Sequence, residues 1–286
     1  MALSFFKKRN EQNQEMTFID HLEELRWHIV RSLIAIIVIA IALFINMDWF
    51  FDTIIMGPIR PDFISYTRLC DFSHWIGAGD ALCLPPVEAE LQATTFGSQF
   101  ISSITIAFMG GFIIGFPYIF WEFWRFIKPA LTERELKNTR GSIFFVSFFF
   151  FAGAAFGYFV MAPFTFSFLS NYKLGDSMML VTRPMLSDYI DNLLNITLGA
   201  GIAFQLPVVA YVLTKIGLIT PAFLRTYRKY AYVAILIVAA IITPSPDWMS
   251  QMIVCIPLVL LYELSIIISK RIHVKAEQKY RDEYGD

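Results

Sequence analysis

Charged residues and histidines are scarce in this sequence, and their scarcity excludes several kinds of protein. Charged residues form 16% of the 286 residues, whereas soluble domains have roughly 25%. The formal net charge is −1, so the chain has no basic excess of the kind that binds nucleic acid, and no nucleic-acid partner is expected. Hydrophobic residues reach 56%. The composition therefore indicates a protein embedded in a lipid bilayer.

The few histidines also limit the chemistry that the apolar segments can perform. His21, His28, His74 and His273 all fall in predicted termini or in an outer loop. Apolar segments without histidine provide no haem ligands and no Ser-His protease constellation. The sequence contains no P-loop and no dinucleotide fingerprint. We therefore expect no enzyme activity, no cofactor and no metal.

Long apolar runs predict the architecture. A spanning helix needs about 20 apolar residues, and four clear runs lie at about 29–46, 101–121, 142–165 and 192–214. The last apolar region, about 230–268, is interrupted at Thr243-Pro-Ser-Pro-Asp247, because two prolines remove backbone donors. We predict two short spans there. The sequence thus predicts an all-α membrane protein with six transmembrane helices.

The distribution of basic residues predicts the orientation in the membrane. Segments 1–31, 125–140, 215–229 and 270–286 contain 19 of the 23 Lys and Arg residues. Basic residues concentrate on the cytoplasmic side of membrane proteins. Both termini are therefore expected in the cytoplasm.

This orientation gives a single membrane domain, 1–286, with an amphipathic cytoplasmic N-terminus at 1–28, an outer cap loop at 47–100 and a cytoplasmic tail at 270–286. Cys70 and Cys83 both lie in the outer loop, on the oxidising side, where a disulfide is chemically permitted. A disulfide also requires a short distance between the two Cα atoms, which a sequence does not give. Both the bonded and the free state stay open at this stage.

Carboxylates and aromatic residues cluster in the segments predicted on the cytoplasmic face. Thr17 is a suitable N-cap for a helix that contains Glu24, and the first inner loop carries Phe126 and Glu135. Glu24 and Glu135 would share one membrane face, where carboxylates can bind planar guanidinium groups through bidentate hydrogen bonds. The same pattern is also typical of an ordinary interfacial helix and an aromatic belt. Residue types alone do not separate these alternatives.

Two polar residues are predicted inside the bilayer. Gln205 would lie about 15 Å below the inner surface, where its amide needs a partner on a neighbouring span or on another protein. Glu263 would lie roughly 10 Å deep, a position that makes a carboxylate a candidate functional group. Glu263 is also close enough to the inner surface to pair with cations there.

These segments together resemble the TatC family, the polytopic subunit of the twin-arginine protein translocase. The resemblance rests on His21-Leu-Glu-Glu-Leu-Arg26, on Phe126 to Leu131 followed by Glu135, on Thr243 to Asp247, and on Ser250-Gln251. The order and spacing of these stretches, and the six-span topology, are similar to the family from about 17 to 270.

The resemblance implies protein export across the bacterial cytoplasmic (inner) membrane, driven by the proton gradient and without a catalytic residue. The implied signal-peptide-binding residues are Glu24, Arg26, Phe126 and Glu135. The residues implied in partner-subunit contact or translocation are Pro58, Gln205, Thr243 and Asp247. The implied partners are twin-arginine signal peptides and single-span subunits of the TatA and TatB type, in an oligomeric complex within the lipid bilayer.

The chain departs from the family pattern in three places: at Gln205, in the Thr243 to Asp247 segment, which looks one residue longer than the common form, and in the outer loop with Cys70 and Cys83, which is longer than usual. Many members carry an intramembrane glutamate where this chain has Gln205, so we expect hydrogen bonding and not titration there. The alternative function is a secondary transporter or channel, which should show ionisable residues near the midplane or broken helices in matching halves. The neutral Gln205 favours the translocase over this alternative.

Overall fold

The structure, a computed structural model, describes residues 18–77, 79–85, 87, 90–127, 142–172, 183–215, 217, 219–243 and 248–284. Within these residues helices are the only regular secondary structure, apart from an isolated bridge between Gln92 and Met185. The all-α class is thus as the apolar runs predict.

The α-helices of the described chain are α1 Phe18–Ile45, α2 Met47–Phe50, α3 Ile64–Trp75, α4 Ser98–Ile127, α5 Ser142–Phe156, α6 Ala162–Asn171, α7 Leu186–Ala203, α8 Leu206–Lys215, α9 Pro221–Thr226, α10 Arg228–Ile242 and α11 Trp248–Tyr284. Wider π-helical turns lie at Phe51–Ile55 and Gly157–Met161, and tighter 3₁₀ turns lie at Gly57–Ile59 and Gly79–Leu82. We call residues 47–97, which connect α1 to α4, the cap.

Five helical segments are long and apolar enough to cross a membrane: Glu23–Ile45, Ser98–Ile127, Ile143–Asn171, Leu186–Lys215 and Gln251–Lys275. They correspond to five of the six predicted spans. Helix α10 matches the remaining one but has only 15 residues, a length of about 22 Å against a hydrocarbon core of about 30 Å. The count of six spans and the orientation of the termini therefore stay predictions.

Two helices are longer than predicted. Helix α1 contains no proline or glycine and continues without interruption from Phe18 into the first span. The predicted interfacial helix and the first span are therefore one continuous helix. Helix α11 has 37 residues and includes most of the predicted tail, because the Lys, Arg, Glu, Gln and Ala residues that follow Ser269 favour helix. The last helix is therefore not short, although its apolar part ends near Ser269.

The helices pack in pairs that share two buried cores. Helix α1 lies along α4, α5 along α7, and α8 along α11, while α4 also contacts α5 and α7. One core joins α7, α10 and α11 through Ile196, Ala200, Ala239, Val254 and Leu258. The other core lies under the cap and includes Ile55, Ile106, Ala162, Ile190 and Leu193.

Two glycines allow the third and fourth spans to approach closely. A Cβ atom at Gly153 would lie 2.5 Å from the carbonyl oxygen of Ala200, and one at Gly157 would lie 2.9 Å from that of Ile196. Both obstacles are backbone atoms of α7, which cannot rotate aside as a side chain can. Small residues at these contacts are the usual means by which membrane helices pack backbone to backbone.

Three tyrosines hold the start of the cap. Between residues 54 and 58 the chain changes from a π-helical to a 3₁₀ turn, so its carbonyl groups lose regular helical partners and need other donors. The hydroxyl donors are Tyr158 to Ile54 O at 2.6 Å, Tyr189 to Ile55 O at 2.5 Å and Tyr66 to Pro58 O at 2.8 Å. Because Tyr158 and Tyr189 belong to the third and fourth spans, these bonds fasten the cap to the membrane helices.

Tyr66 lies in the cap and stays a donor over the physiological pH range. Burial raises the pKa of Tyr66 to about 12, because the charged phenolate would lose its hydration. This folded-state pKa is above the ordinary value of 10.0. The contribution of Tyr66 to stability is therefore complete below about pH 10 and is lost as the pH rises towards about 12.

We predict that Tyr189→Phe destabilises the protein by about 1–3 kcal/mol, because the buried Ile55 carbonyl loses its side-chain donor. The measurement is denaturant or thermal unfolding of the detergent-solubilised protein. Tyr172→Phe is the matched control, since the Tyr172 side chain is exposed and its loss should change stability by less than about 0.5 kcal/mol. Equal effects of the two substitutions would contradict the role assigned to Tyr189.

Candidate functional site

A polar pocket of about 430 Å³ opens between the first part of α1 and the end of α4. Its lining residues are Glu24, Trp27, His28, Arg31 and Arg125. The four α1 residues follow helical spacing and so face α4 together. The pocket thus combines a carboxylate, two guanidinium groups, an imidazole and an indole within one concavity.

A buried pair joins α1 to α4 at the base of this pocket. His28 Nδ1 lies 2.5 Å from Glu122 Oε2, and His28 and Glu122 are only 7% and 1% exposed. The second carboxylate oxygen of Glu122 accepts a hydrogen bond from Tyr118 Oη at 3.1 Å and lies 3.5 Å from Arg125 Nη1. Glu122 therefore has partners at both oxygens, as a buried carboxylate requires.

Glu24 is the accessible carboxylate of the pocket. It lies one turn before His28 on α1, and its Oε1 atom is 3.9 Å from His28 Nε2. Its side chain is 36% exposed. Its other oxygen, Oε2, is buried and has no hydrogen-bond partner among the described residues. A hydrogen-bond donor added next to an unpaired carboxylate oxygen of this kind lowers the free energy of the complex.

The structure brings together only some of the predicted signal-peptide-binding residues. The ring of Phe126 meets His28 edge-on, with ring centroids 6.2 Å apart, so Phe126 and Glu24 are both neighbours of His28. Arg26 is exposed and lies about 200° around the helix from Glu24, outside the pocket lining. Glu135 lies outside the described residues.

The residues predicted for partner contact or translocation are dispersed over the chain. Pro58 is less than 2% exposed, in the core under the cap. Thr243 is 6% exposed at the end of α10, where its hydroxyl donates to Ala239 O at 3.0 Å. Asp247 lies outside the described residues. A role of Pro58 or Thr243 would therefore act through the positions of neighbouring groups, because their own side chains are covered.

Gln205 lies at a break in the fourth span. The α-helix is interrupted between α7 and α8. Gln205 lies two residues before Pro207, whose backbone nitrogen cannot donate a hydrogen bond to a preceding carbonyl. The side-chain nitrogen of Gln205 donates to Val146 O on α5 at 3.1 Å. Gln205 thus bonds to a neighbouring span of its own chain, one of the two alternatives that its depth predicts.

Glu263 also has partners within the chain. Its carboxylate accepts hydrogen bonds from Arg228 Nη2 and Tyr232 Oη, each at 2.6 Å. Arg228 and Tyr232 both belong to α10, so this group of charges joins α10 to α11. The structure therefore pairs Glu263 with a basic residue near the predicted inner surface. Of the two predicted roles of Glu263, this is pairing with a cation and not the functional group in the bilayer.

The cap contains a disulfide between Cys70 and Cys83, with the Cα atoms 4.3 Å apart. It joins α3 to the chain that follows the turn Gly79–Leu82. The third cysteine, Cys255, is buried in the core of α11.

Sequence analysis missed His28 and Glu122. It placed His28 in a predicted terminus and did not single out Glu122. One signal was available: Glu122 is a lone carboxylate near the end of an apolar run, and such residues need a partner. The identity of that partner required the packing of α1 on α4, because the two residues are 94 positions apart.

We predict strong energetic coupling between His28 and Glu122 in a double-mutant cycle with alanine. Removing one partner of a buried charged pair costs about 3–5 kcal/mol, because the other is left without compensation. The double mutant should lose much less than the sum of the single mutants, as measured by unfolding in detergent.

The pair His273 and Glu277 on α11 is the matched control. It has the same residue types at 3.3 Å, but its side chains are 42% and 59% exposed. Its coupling should not exceed about 0.5 kcal/mol. Similar coupling energies in the two cycles would show that burial between α1 and α4 does not strengthen the His28–Glu122 interaction.

Comparison with known proteins identifies the family. A family model described as Sec-independent protein translocase protein (TatC) matches residues 20–257. The TatC protein of Blattabacterium sp. subsp. Periplaneta americana is 41% identical over 266 residues, which cover 91% of this chain and 97% of that protein. The TatC protein of Halalkalibacterium halodurans is 34% identical over 279 residues, which cover 95% and 99%.

Solved structures agree with these relatives. Two crystal structures titled Twin Arginine Translocase Receptor-TatC superpose with TM-scores of 0.67 and 0.68, at 32% and 33% sequence identity. The matches cover 88% and 87% of this chain and 99% of each solved chain. With five apolar helices of spanning length, this chain is a multi-pass component of bacterial protein transport in the inner membrane. The chain belongs to the TatC family of Sec-independent protein translocase proteins.

Proposed function

We propose that this chain is the receptor and scaffold subunit of a twin-arginine translocase, and that it binds twin-arginine signal peptides at the pocket between α1 and α4. The observation that carries the proposal is the Glu24 carboxylate, which lines this pocket and has one oxygen without a partner among the described residues. The titles of the two similar crystal structures, which describe a twin-arginine translocase receptor, support the same function.

Arginine suits this carboxylate for a geometric reason. A guanidinium group is planar and can donate two parallel hydrogen bonds to one carboxylate, whereas an ammonium group acts as a point charge. Trp27 lines the same pocket, and an indole face also attracts a guanidinium group. We propose that Glu24 and Glu135 bind the two arginines, and that Phe126 and Arg26 shape the surroundings of the signal peptide.

Glu24 supplies the accessible negative charge of the pocket. Arg31 and Arg125 are cations in the same lining, while Glu122 is already occupied by His28, Tyr118 and Arg125. Neutralising Glu24 would leave the pocket with two guanidinium groups and no accessible carboxylate among the described residues. A cationic signal peptide would then be repelled.

The topology and the assembly belong to the same proposal. We propose six spans, including the short α10, with both termini in the cytoplasm, since 19 of the 23 basic residues lie in segments on that side. In this arrangement the chain is a single membrane domain that recruits single-span subunits of the TatA and TatB type into an oligomeric complex. Export then uses the proton gradient and requires no catalytic residue or cofactor in this chain.

The chain belongs to a family of protein translocase components, which argues against the alternative function of a secondary transporter or channel. Two ionisable groups of the described helices also have partners within the chain. Glu122 and Glu263 are both paired with basic or hydroxyl side chains, which favours structural roles over an ion pathway.

We predict that Glu24→Gln weakens binding of a twin-arginine signal peptide by at least about 2 kcal/mol, roughly 30-fold, because the charged half of the bidentate contact is lost. Affinity is measured with a fluorescent signal peptide in detergent or nanodiscs. Photocrosslinking from position 126 provides a second readout. A peptide with Lys-Lys in place of Arg-Arg should bind the unaltered protein weakly, because it lacks the planar fork.

Glu23→Gln is the matched control for this experiment. Glu23 precedes Glu24 on the same helix and is exposed, but it does not line the pocket. Its substitution removes the same charge at nearly the same depth and should leave affinity within about twofold, since surface charges contribute little. Equal losses in the two variants would mean that general electrostatic attraction, and not the pocket, binds the peptide.

We propose that Gln205, in addition to its hydrogen bond to Val146 O within the chain, contacts a partner span, and a second prediction tests this contact. Gln205→Leu should reduce co-purification of single-span subunits more than crosslinking to the signal peptide, because an amide is lost at membrane depth while the α1–α4 pocket is unchanged. Hydrogen bonds of this kind contribute about 0.6 to 2 kcal/mol. Val209→Leu, an exposed position one turn further along α8, is the control. A larger effect on the signal peptide than on the partners would refute the assignment.

A further inference from the structure

The cap contains a group of metal-ligand atoms that the proposed signal-peptide site does not use. Cys70, His74 and Cys83 each direct one ligand atom to a common region, with all these atoms within 4.8 Å of one another. The carboxylate of Asp80 reaches the same region, 2.9 Å from His74 Nε2. We call Cys70, His74, Asp80 and Cys83 the cap cluster.

The distances in the cap cluster resemble the edges of a tetrahedral metal site. His74 Nε2 lies 3.8 Å from Cys70 Sγ and 3.6 Å from Cys83 Sγ, and Asp80 Oδ1 lies 3.8 Å from Cys83 Sγ. Ligands at zinc bond lengths in a tetrahedron are about 3.3–3.8 Å apart. Two pairs of these atoms are closer than such edges: the sulfur atoms, which form the disulfide, and His74 Nε2 and Asp80 Oδ1, which lie at hydrogen-bond distance, 2.9 Å, and would move apart by about 0.4 Å to bind zinc.

We propose that reduction of the Cys70–Cys83 disulfide converts the cap cluster into a binding site for one Zn²⁺ ion, with two thiolates, one imidazole nitrogen and one carboxylate oxygen as ligands. A set of two sulfur, one nitrogen and one oxygen ligand in a tetrahedron is suited to Zn²⁺.

The conversion consumes one external dithiol for each disulfide that is reduced. A dithiol gives two electrons and two protons to the disulfide and becomes a disulfide itself, which leaves two cysteine thiols. Zn²⁺ then binds the thiolates, and the two thiol protons go to solvent.

The backbone around the cap cluster does not depend on the disulfide alone. Ser73 is fully buried, and its hydroxyl donates to Gly79 O at 2.6 Å, which holds the turn against α3. Gly77 and Gly79 adopt positive φ angles of 75° and 59°, a region that glycine occupies without strain. The ligand-bearing segments therefore stay close together when the sulfur–sulfur bond is open.

The exposure of the cluster allows an ion to enter. The side chains of His74 and Asp80 are 59% and 87% exposed, so water and metal reach them without a change in the core. The cap would then be cross-linked between α3 and the turn in both redox states, by a disulfide when oxidised and by zinc when reduced.

The test uses the full chain in detergent, without a histidine tag and with Cys255→Ala, so that Cys70 and Cys83 supply all thiols. The protein is treated with dithiothreitol, freed from it under anaerobic conditions and titrated with Co²⁺ and then Zn²⁺. We expect one Co²⁺ per reduced chain, with thiolate charge-transfer absorption and the visible bands of tetrahedral cobalt, and displacement by Zn²⁺. The oxidised chain should show neither absorption.

Three variants separate a built site from chelation by two thiols alone. His74→Ala and Asp80→Asn should each weaken Zn²⁺ binding by at least about tenfold, the lower limit for residues that support a bound metal. Asp71→Asn removes an exposed carboxylate on α3 and should leave binding unchanged. Thermal unfolding of the oxidised variants checks that all three are folded.

The proposal is overturned if the reduced chain takes up no cobalt. It is also overturned if binding is unchanged in His74→Ala or Asp80→Asn, or falls equally in Asp71→Asn. None of these readouts involves a signal peptide, so the result is independent of the proposed receptor function.

Discussion

Every polar group inside a membrane domain needs a partner within the protein, because the hydrocarbon core offers no hydrogen bonds. The packing of this chain meets that constraint at two carboxylates of the helices and where the chain departs from regular helical geometry. Glu122 on α4 has His28 on α1, and Glu263 on α11 has Arg228 and Tyr232 on α10. Each of these contacts joins two helices through a specific pair of side chains.

The same constraint explains the attachment of the cap. The chain leaves α-helical geometry between residues 51 and 59, and the carbonyl groups released there are bonded by tyrosine hydroxyls from three elements. Phenol groups are suited to this task because their rings pack in the apolar core while their hydroxyls reach the backbone. The burial of Pro58 follows from this arrangement, since its carbonyl is one of the acceptors.

The apolar runs predicted the helical class and the approximate positions of most spans, because a run of about 20 apolar residues has few alternatives in a bilayer. They did not predict the continuity of α1 or the length of α11. Polar residues that favour helix extend a helix past its apolar run, and a search for apolar runs does not detect such an extension. Glu24 and Phe126 were predicted from the family resemblance, and both are neighbours of His28. The His28–Glu122 pair was not predicted, because local periodicity does not identify a partner that is 94 residues away.

In the proposed receptor, the buried pair also affects how the pocket would discriminate between ligands. A histidine held on one side by Glu122 presents its other nitrogen towards Glu24, so the orientation of the imidazole is set by a residue that no ligand touches. In the proposed complex, His28 and an incoming guanidinium group would both face Glu24. The guanidinium has the advantage of two donors in the carboxylate plane, whereas the imidazole nitrogen lies 3.9 Å away, beyond hydrogen-bond distance. Glu24 therefore lacks a short contact with His28, and under the proposed function this leaves its carboxylate available to an external arginine.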